Sequence, residues 1–266
     1  MLECVPNFSE GRDKNVISHI VEAASKFTPI IDVHSDPDHN RSVLTMIGSP
    51  SDLIQAALAA SHQAVRLIDI SRHTGVHPRL GAMDVVPFIP LEQTPMHAAE
   101  AAAVEFAQTF AAQANVPCFL YGLIDLPQVR RQAFKSLSPD FGPDAPHATA
   151  GATVAGARGV MVAFNVVLDS NDLQAARRIA RTIREQTPHI RALGFALESK
   201  GLVQVSMNLV EPMTTGVGTA FDAVATEAVS LGQTLAYSEI VGLVPRHALE
   251  GRQPSGLLLK AAPKYL

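Results

Sequence analysis

Three segments carry the side chains able to do chemistry. The richest reads SRHTGVHPRLGAMD over residues 71–84. His73 and His77 lie four apart, but the following Pro78 disfavours helical backbone at His77, so the pair is not a helical metal face. An imidazole in a loop suits proton transfer near neutral pH. The flanking cations Arg72 and Arg79 are expected to lower the pKa of His77 and keep a neutral base available. The second segment, DVHSDPDHNR over 32–41, holds two His and three Asp. It reads three ways: a hairpin loop rich in turn formers, a metal site built from His34, Asp36, Asp38 and His39, or a substrate site in which Arg41 grips a carboxylate. No HExxH or CxxC spacing favours the metal. The third segment spans 141–159, where Gly, Pro, Ala and Thr dominate and Asp144 and Arg158 are the only charged residues. It is neither a P-loop nor a GxGxxG, and it reads as a linker or a ligand loop whose small residues let backbone approach a flat ligand.

These segments need a scaffold. The chain has 266 residues, 47% hydrophobic and 17% charged, enough for a sizeable core. The net charge is −4 without a basic run, which argues against nucleic-acid binding. Two cysteines, Cys4 and Cys118, make neither a disulfide framework nor a thiolate zinc cage. An early acid and no basic leader argue against a secretory signal, and Glu100 and Glu105 mark the Ala-rich 97–114 stretch as a buried helix rather than a membrane span. A cytoplasmic location is expected.

Apolar periodicity predicts strands at 2–6, 30–33, 43–47, 85–89 and 117–123. It predicts helices at 13–26, 49–68, from 94–95 to 114, and 126–135. After the 141–159 linker the pattern recurs, with a strand at 160–167, a helix at 169–185, a hairpin at 193–198 and 203–209, a helix at 215–231 and a strand at 240–244. Both halves read strand–helix–strand–strand–helix–strand, the split βαβ order. The expected fold is therefore α+β, with duplicated ferredoxin-like βαββαβ subdomains over 1–158 and 159–266. A sheet face left to cover in such units argues for a homodimer.

Taken together, the segments resemble the formiminotransferase family, the transferase module of formiminotransferase-cyclodeaminase. The matching stretches are CVPNFSEG at 4–11, HNR at 39–41, RLIDISRHTGVHPRLGAMDVVPFIP at 66–90, DFGP at 140–143, GAT at 151–153, GAR at 156–158, AFN at 163–165 and VGLVP at 241–245. The resemblance implies two ferredoxin-like subdomains and a homodimer. It also implies transfer of a formimino group from N-formimino-L-glutamate to tetrahydrofolate, a co-substrate, in histidine degradation and one-carbon metabolism. The family's catalytic histidine maps onto His77, and His73 is expected to orient rather than react. The folate-binding segment maps onto Gly142, Pro143, Asp144, Ala145, Pro146, His147, Ala148, Thr149, Ala150 and Gly151. Asn40, Arg41, Arg79 and Arg158 are candidate substrate-binding residues, the arginines on charge and motif position. No metal, nucleic acid or membrane is expected as a partner. Three features depart from the animal pattern: no cyclodeaminase counterpart within this stretch, a short 130–140 connection, and His34 where Asp is expected. The alternatives are formyl transfer between 5-formyltetrahydrofolate and glutamate, a metal-dependent amidohydrolase at His34, Asp36, Asp38 and His39, and a non-catalytic folate-binding protein.

Overall fold

In chain order the elements are β1 (Leu2–Cys4), β2 (Asn7–Phe8), α1 (Lys14–Ser25), β3 (Ile30–Asp36), β4 (Arg41–Gly48), α2 (Pro50–Leu67), β5 (Met83–Pro90), α3 (Met96–Ala114), β6 (Cys118–Tyr121), α4 (Leu126–Gln132), β7 (Thr153–Ala157), β8 (Val162–Leu168), α5 (Leu173–Gln186), β9 (Ile190–Leu197), β10 (Leu202–Leu209), α6 (Val217–Ser230), β11 (Leu235–Val241), β12 (Leu243–Val244) and β13 (Lys264–Tyr265). They come from a computed structural model that describes all 266 residues. The fold is mixed α and β, in two compact units, Met1–Gly159 and Val160–Leu266.

Local chemistry starts the helices where the sequence indicates. Asp13 caps α1 by accepting from the amides of Asn15 and Val16, and Ser49 caps α2 with Pro50 in its first turn. Asp125 caps α4, and Asn115 closes α3 in the left-handed region at φ 53°. No helix is long and apolar enough to cross a membrane.

In the first unit β1 and β2 pair antiparallel with both β4 and β5, and β3 pairs with β4. The sheet is extended by β7, parallel to β5, and then β6, parallel to β7. Helices α1, α2 and α3 bury one core with this sheet, including Leu2, Phe8, Leu44, Leu53, Phe88, Phe106 and Phe110. Each such fully buried large side chain contributes about 2 kcal/mol. Alanines at 56, 57, 60 and 64 of α2 and at 99, 102, 103 and 107 of α3 are buried in that core, small enough to bring the two helices close. A smaller cluster of Phe119, Val129, Ala133, Ala152 and Val154 packs α4 onto β6 and β7.

The second unit is an antiparallel sheet in the order β11-β8-β10-β9, carrying α5 and α6 over its own core. Numbering the four strands of each strand–helix–strand–strand–helix–strand run, the sheet order is fourth, first, third, second in both units.

One expectation is corrected. Residues 153–157 lie inside the expected linker but form β7, held between β5 and β6. Its residues TVAGA are small because neighbours crowd them. A Cβ at Gly156 would stand 2.3 Å from the Tyr121 carbonyl oxygen and 2.6 Å from its ring. A strand made of such residues has the composition of a loop.

Candidate active site

The loop between α2 and β5 is held by side chains rather than by regular structure. Asp69 accepts from the amide and hydroxyl of Ser71, and the Ile70 amide donates to the Thr149 carbonyl at 2.7 Å. Asn40, in the left-handed region at φ 48°, clasps three strands of chain. Its Oδ1 accepts from the Gly11 amide at 2.9 Å, its Nδ2 donates to the Thr74 carbonyl at 2.9 Å, and its own carbonyl meets His73 Nε2 at 3.0 Å. Gly75 must be glycine here, since a Cβ would stand 2.4 Å from the His39 carbonyl oxygen.

The two loop histidines have different partners. Because His73 Nε2 faces a carbonyl, it carries the proton, and Nδ1 accepts from Arg79. Both nitrogens are thereby engaged, and burial followed by the Arg79 charge lowers the pKa of His73. His77 instead points Nδ1 at the Pro78 carbonyl at 2.7 Å, which makes Nδ1 the protonated nitrogen and leaves the lone pair on Nε2. Arg79 grips the His77 carbonyl at 2.6 Å, and the His39 ring lies 5.9 Å from the His77 ring.

Behind His77 lies a buried ion group. Asp84, wholly buried at the head of β5, accepts from the Leu80 amide on Oδ1 at 2.6 Å. Its Oδ2 receives Arg41 at 2.6 Å and also Arg130, from α4. Arg41 Nε reaches Asn7 Oδ1 at 3.2 Å. Burial alone would raise the Asp84 pKa, but Arg41, Arg130 and the Leu80 amide outweigh it and hold the carboxyl below its ordinary value. The same surroundings act on His77. Burial, then Arg41 and Arg130, hold its pKa well below the usual histidine value, with His39 adding and Asp84 opposing. The direction is the one expected from sequence, but the responsible cations are Arg41 and Arg130 rather than Arg72 and Arg79.

The Gly142–Gly151 segment joins this loop. Backbone bonds link Ala82 to Ala150 at 2.9 Å and Ala152 to Leu80 at 3.0 Å, while His147 and Gly151 exchange a reciprocal pair at 2.8 and 2.9 Å. His147 Nδ1 accepts from the Ala150 amide at 3.0 Å, shaping the turn. The stretch therefore abuts the catalytic-loop candidate at Leu80–Ala82.

Two family models match the chain. Residues 1–158 match the N-terminal subdomain of the formiminotransferase domain, and residues 163–252 match the formiminotransferase domain. The chain belongs to the formiminotransferase family. It is 41% identical to formimidoyltransferase-cyclodeaminase of Sus scrofa, over 94% of this chain and 51% of that protein. Similarity to glutamate formimidoyltransferase is 36% in Thermoplasma acidophilum and 34% in Streptococcus pyogenes serotype M1. Each of those matches covers 94% of this chain, with 89% and 90% of the respective relative. The chain thus spans about half the length of the pig relative and most of the microbial ones.

Within this chain the other site candidates separate. Arg41 is beside His77, while Asn40 and Arg79 hold the loop backbone. Arg158 belongs to another cluster: it bonds the Gly159 carbonyl at 2.9 Å and acts on Glu3 and Tyr121. Burial pushes the Tyr121 hydroxyl up to about 12, with Arg158 opposing. Asp36, one of the four residues considered for a metal, caps the His39 amide at 2.8 Å, and no three His, Cys, Asp or Glu side chains converge as a ligand group. Sequence reading missed Arg130 and the role of Asp84. An acid opening the otherwise apolar strand MDVVPFIP signals Asp84, because a fully buried carboxylate must be paired. No spacing signals Arg130, which meets Asp84 across 46 positions of chain.

Proposed function

We propose that this chain is a glutamate formimidoyltransferase that moves a formimino group from N-formimino-L-glutamate to tetrahydrofolate, with His77 as base and then acid. The secondary amine of the reduced pterin attacks the amidine carbon and gives its proton to His77 Nε2. The tetrahedral adduct collapses when that proton passes from Nε2 to the glutamate nitrogen. The bond from carbon to that nitrogen then breaks and L-glutamate leaves. One imidazole closes the cycle, and no metal is required. The observation that carries the reading is the Nδ1 contact of His77 to the Pro78 carbonyl, which supports the tautomer with its proton on Nδ1 and its basic lone pair on Nε2.

Arg41 is assigned to a donor carboxylate, and Asn40 and Arg79 to holding the loop that presents His77. Residues 142–151 are assigned to folate, supported by their attachment to the same loop at Leu80–Ala82. Arg158 sits instead on the Glu3 cluster, where it is assigned to a substrate carboxylate on charge and motif position. We take the two units as copies of a ferredoxin-like subdomain, supported by their shared strand order, and the working enzyme as a cytoplasmic homodimer.

The test is mass-spectrometric product analysis after mixing the protein with tetrahydrofolate and N-formimino-L-glutamate. Formimino-tetrahydrofolate and free glutamate are expected, unchanged by a chelator. A formylated glutamate formed only from 5-formyltetrahydrofolate would replace this reading with the formyl transfer. Loss of transfer on chelation would replace it with a metal enzyme.

A further inference from the structure

Two guanidinium groups share one carboxylate oxygen beside His77. Arg41 and Arg130 both meet Asp84 Oδ2, and the Leu80 amide occupies Oδ1. One buried negative charge therefore faces two positive ones. The Arg130 Nε is buried and has no hydrogen-bond partner. A buried guanidinium donor left without an acceptor is costly, and the flat edge of a guanidinium matches a carboxylate with two parallel bonds. The surplus charge and the unpartnered donor both call for an anion.

We infer that Arg130 is the residue that selects the donor, by gripping its α-carboxylate alongside Arg41, and that Asp84 is the positioning residue for both arginines. This rests on the transferase reading. The α-carboxylate is the anion of choice because it sits on the same carbon as the nitrogen that His77 protonates. The carboxylates of a folate tail lie many bonds from the attacking amine. Arg130 arrives from α4, which the Asp125 cap and the packing of Val129 fix onto β6 and β7.

The experiment compares the wild type with R130M and R130K on N-formimino-L-glutamate and on its α-carboxamide. A charge-assisted hydrogen bond changes affinity by roughly 10–100-fold. In R130M the donor KM should rise by about that factor, the tetrahydrofolate KM should hold, and the preference for acid over amide should vanish. R130K keeps a cation against Asp84, so its fold is preserved, and it should keep part of the preference. R130M retaining the wild-type preference would overturn the proposal. So would a rise confined to the tetrahydrofolate KM, which would assign Arg130 to the folate tail.

A second readout needs no turnover. L-glutamate is added while the His77 ring, faced by Arg41, Arg130, Asp84 and His39, is titrated by NMR. An added carboxylate should raise its midpoint by about one unit in the wild type and not in R130M. If glutamate has that effect on a protein without transferase activity, the transferase reading falls and the anion subsite stands. If transfer occurs and R130M behaves as wild type in both readouts, the subsite falls and the transferase reading stands.

Discussion

Two histidines four positions apart in one loop have different hydrogen-bond partners. His73 turns one nitrogen to Asn40 and the other to Arg79, whereas His77 turns Nδ1 to the neighbouring Pro78 carbonyl, which fixes its tautomer. His77→Ala is expected to lower kcat by about 10²–10⁴-fold with little change in folate affinity, and His73→Ala to cost less. The pH profile carries a sign. Burial and the Arg41 and Arg130 charges set the His77 midpoint well below 6.5, so the base form dominates at neutrality. Acidification through that depressed midpoint protonates Nε2, so activity should stay level down to pH 6.5 and then fall along one acidic limb. A limb centred at or above 6.5 would contradict the placement of the two guanidiniums, and an active His77→Ala with a dead His73→Ala would reverse the roles. At this scale residue type and motif single out the segments holding His77 and Arg41, and the structure sets Arg41 beside His77. They do not single out Arg130, because a pairing between α4 and β5 leaves no mark in local spacing.

The helices and most strands were legible because apolar period and capping residues agree, as at Asp13 and Ser49. β7 was not. It is buried on both faces, by α3 on one side and the α4 cluster on the other, and its side chains are small to fit. Periodicity cannot register a strand that has no exposed face. That strand also shortens the ligand loop. The small, turn-forming residues of 142–151 suit a mobile loop, but the backbone bonds at His147, Ala150 and Gly151 fasten its second half. Folate addition should therefore slow amide exchange chiefly at Asp144 and Ala145, with the His147 and Gly151 amides protected beforehand. Hydrogen exchange read by NMR checks this. Unchanged exchange at Asp144 and Ala145 under saturating folate would move the ligand off this segment.

At the scale of the whole chain, the order of elements repeats over 1–158 and 159–266 in the sequence, and the compact units of the structure are Met1–Gly159 and Val160–Leu266. What the sequence could not separate is how much each half depends on the other, and the cores bear on that. The first unit's main core draws on residues from Leu2 to Ala157, and the second's on residues from Val162 to Tyr265. Neither cluster borrows a buried side chain from the other unit. The second unit also closes its own sheet, from β11 at one edge to β9 at the other, with both helices on a single face. A unit with its own core and a complete hydrogen-bonded sheet meets the usual requirement for folding alone, although a domain of this size buries a smaller share of its surface than a larger one and is correspondingly marginal. Residues 160–266 expressed alone should therefore give a dispersed amide NMR spectrum and one cooperative urea transition. The 1–159 unit should do the same. Sedimented beside them at micromolar concentration, the full chain should run at twice its 28.3 kDa mass. Collapsed spectra for both excised units would show that each needs the other to fold. A full chain at single mass would remove the homodimer while leaving the unit boundary intact.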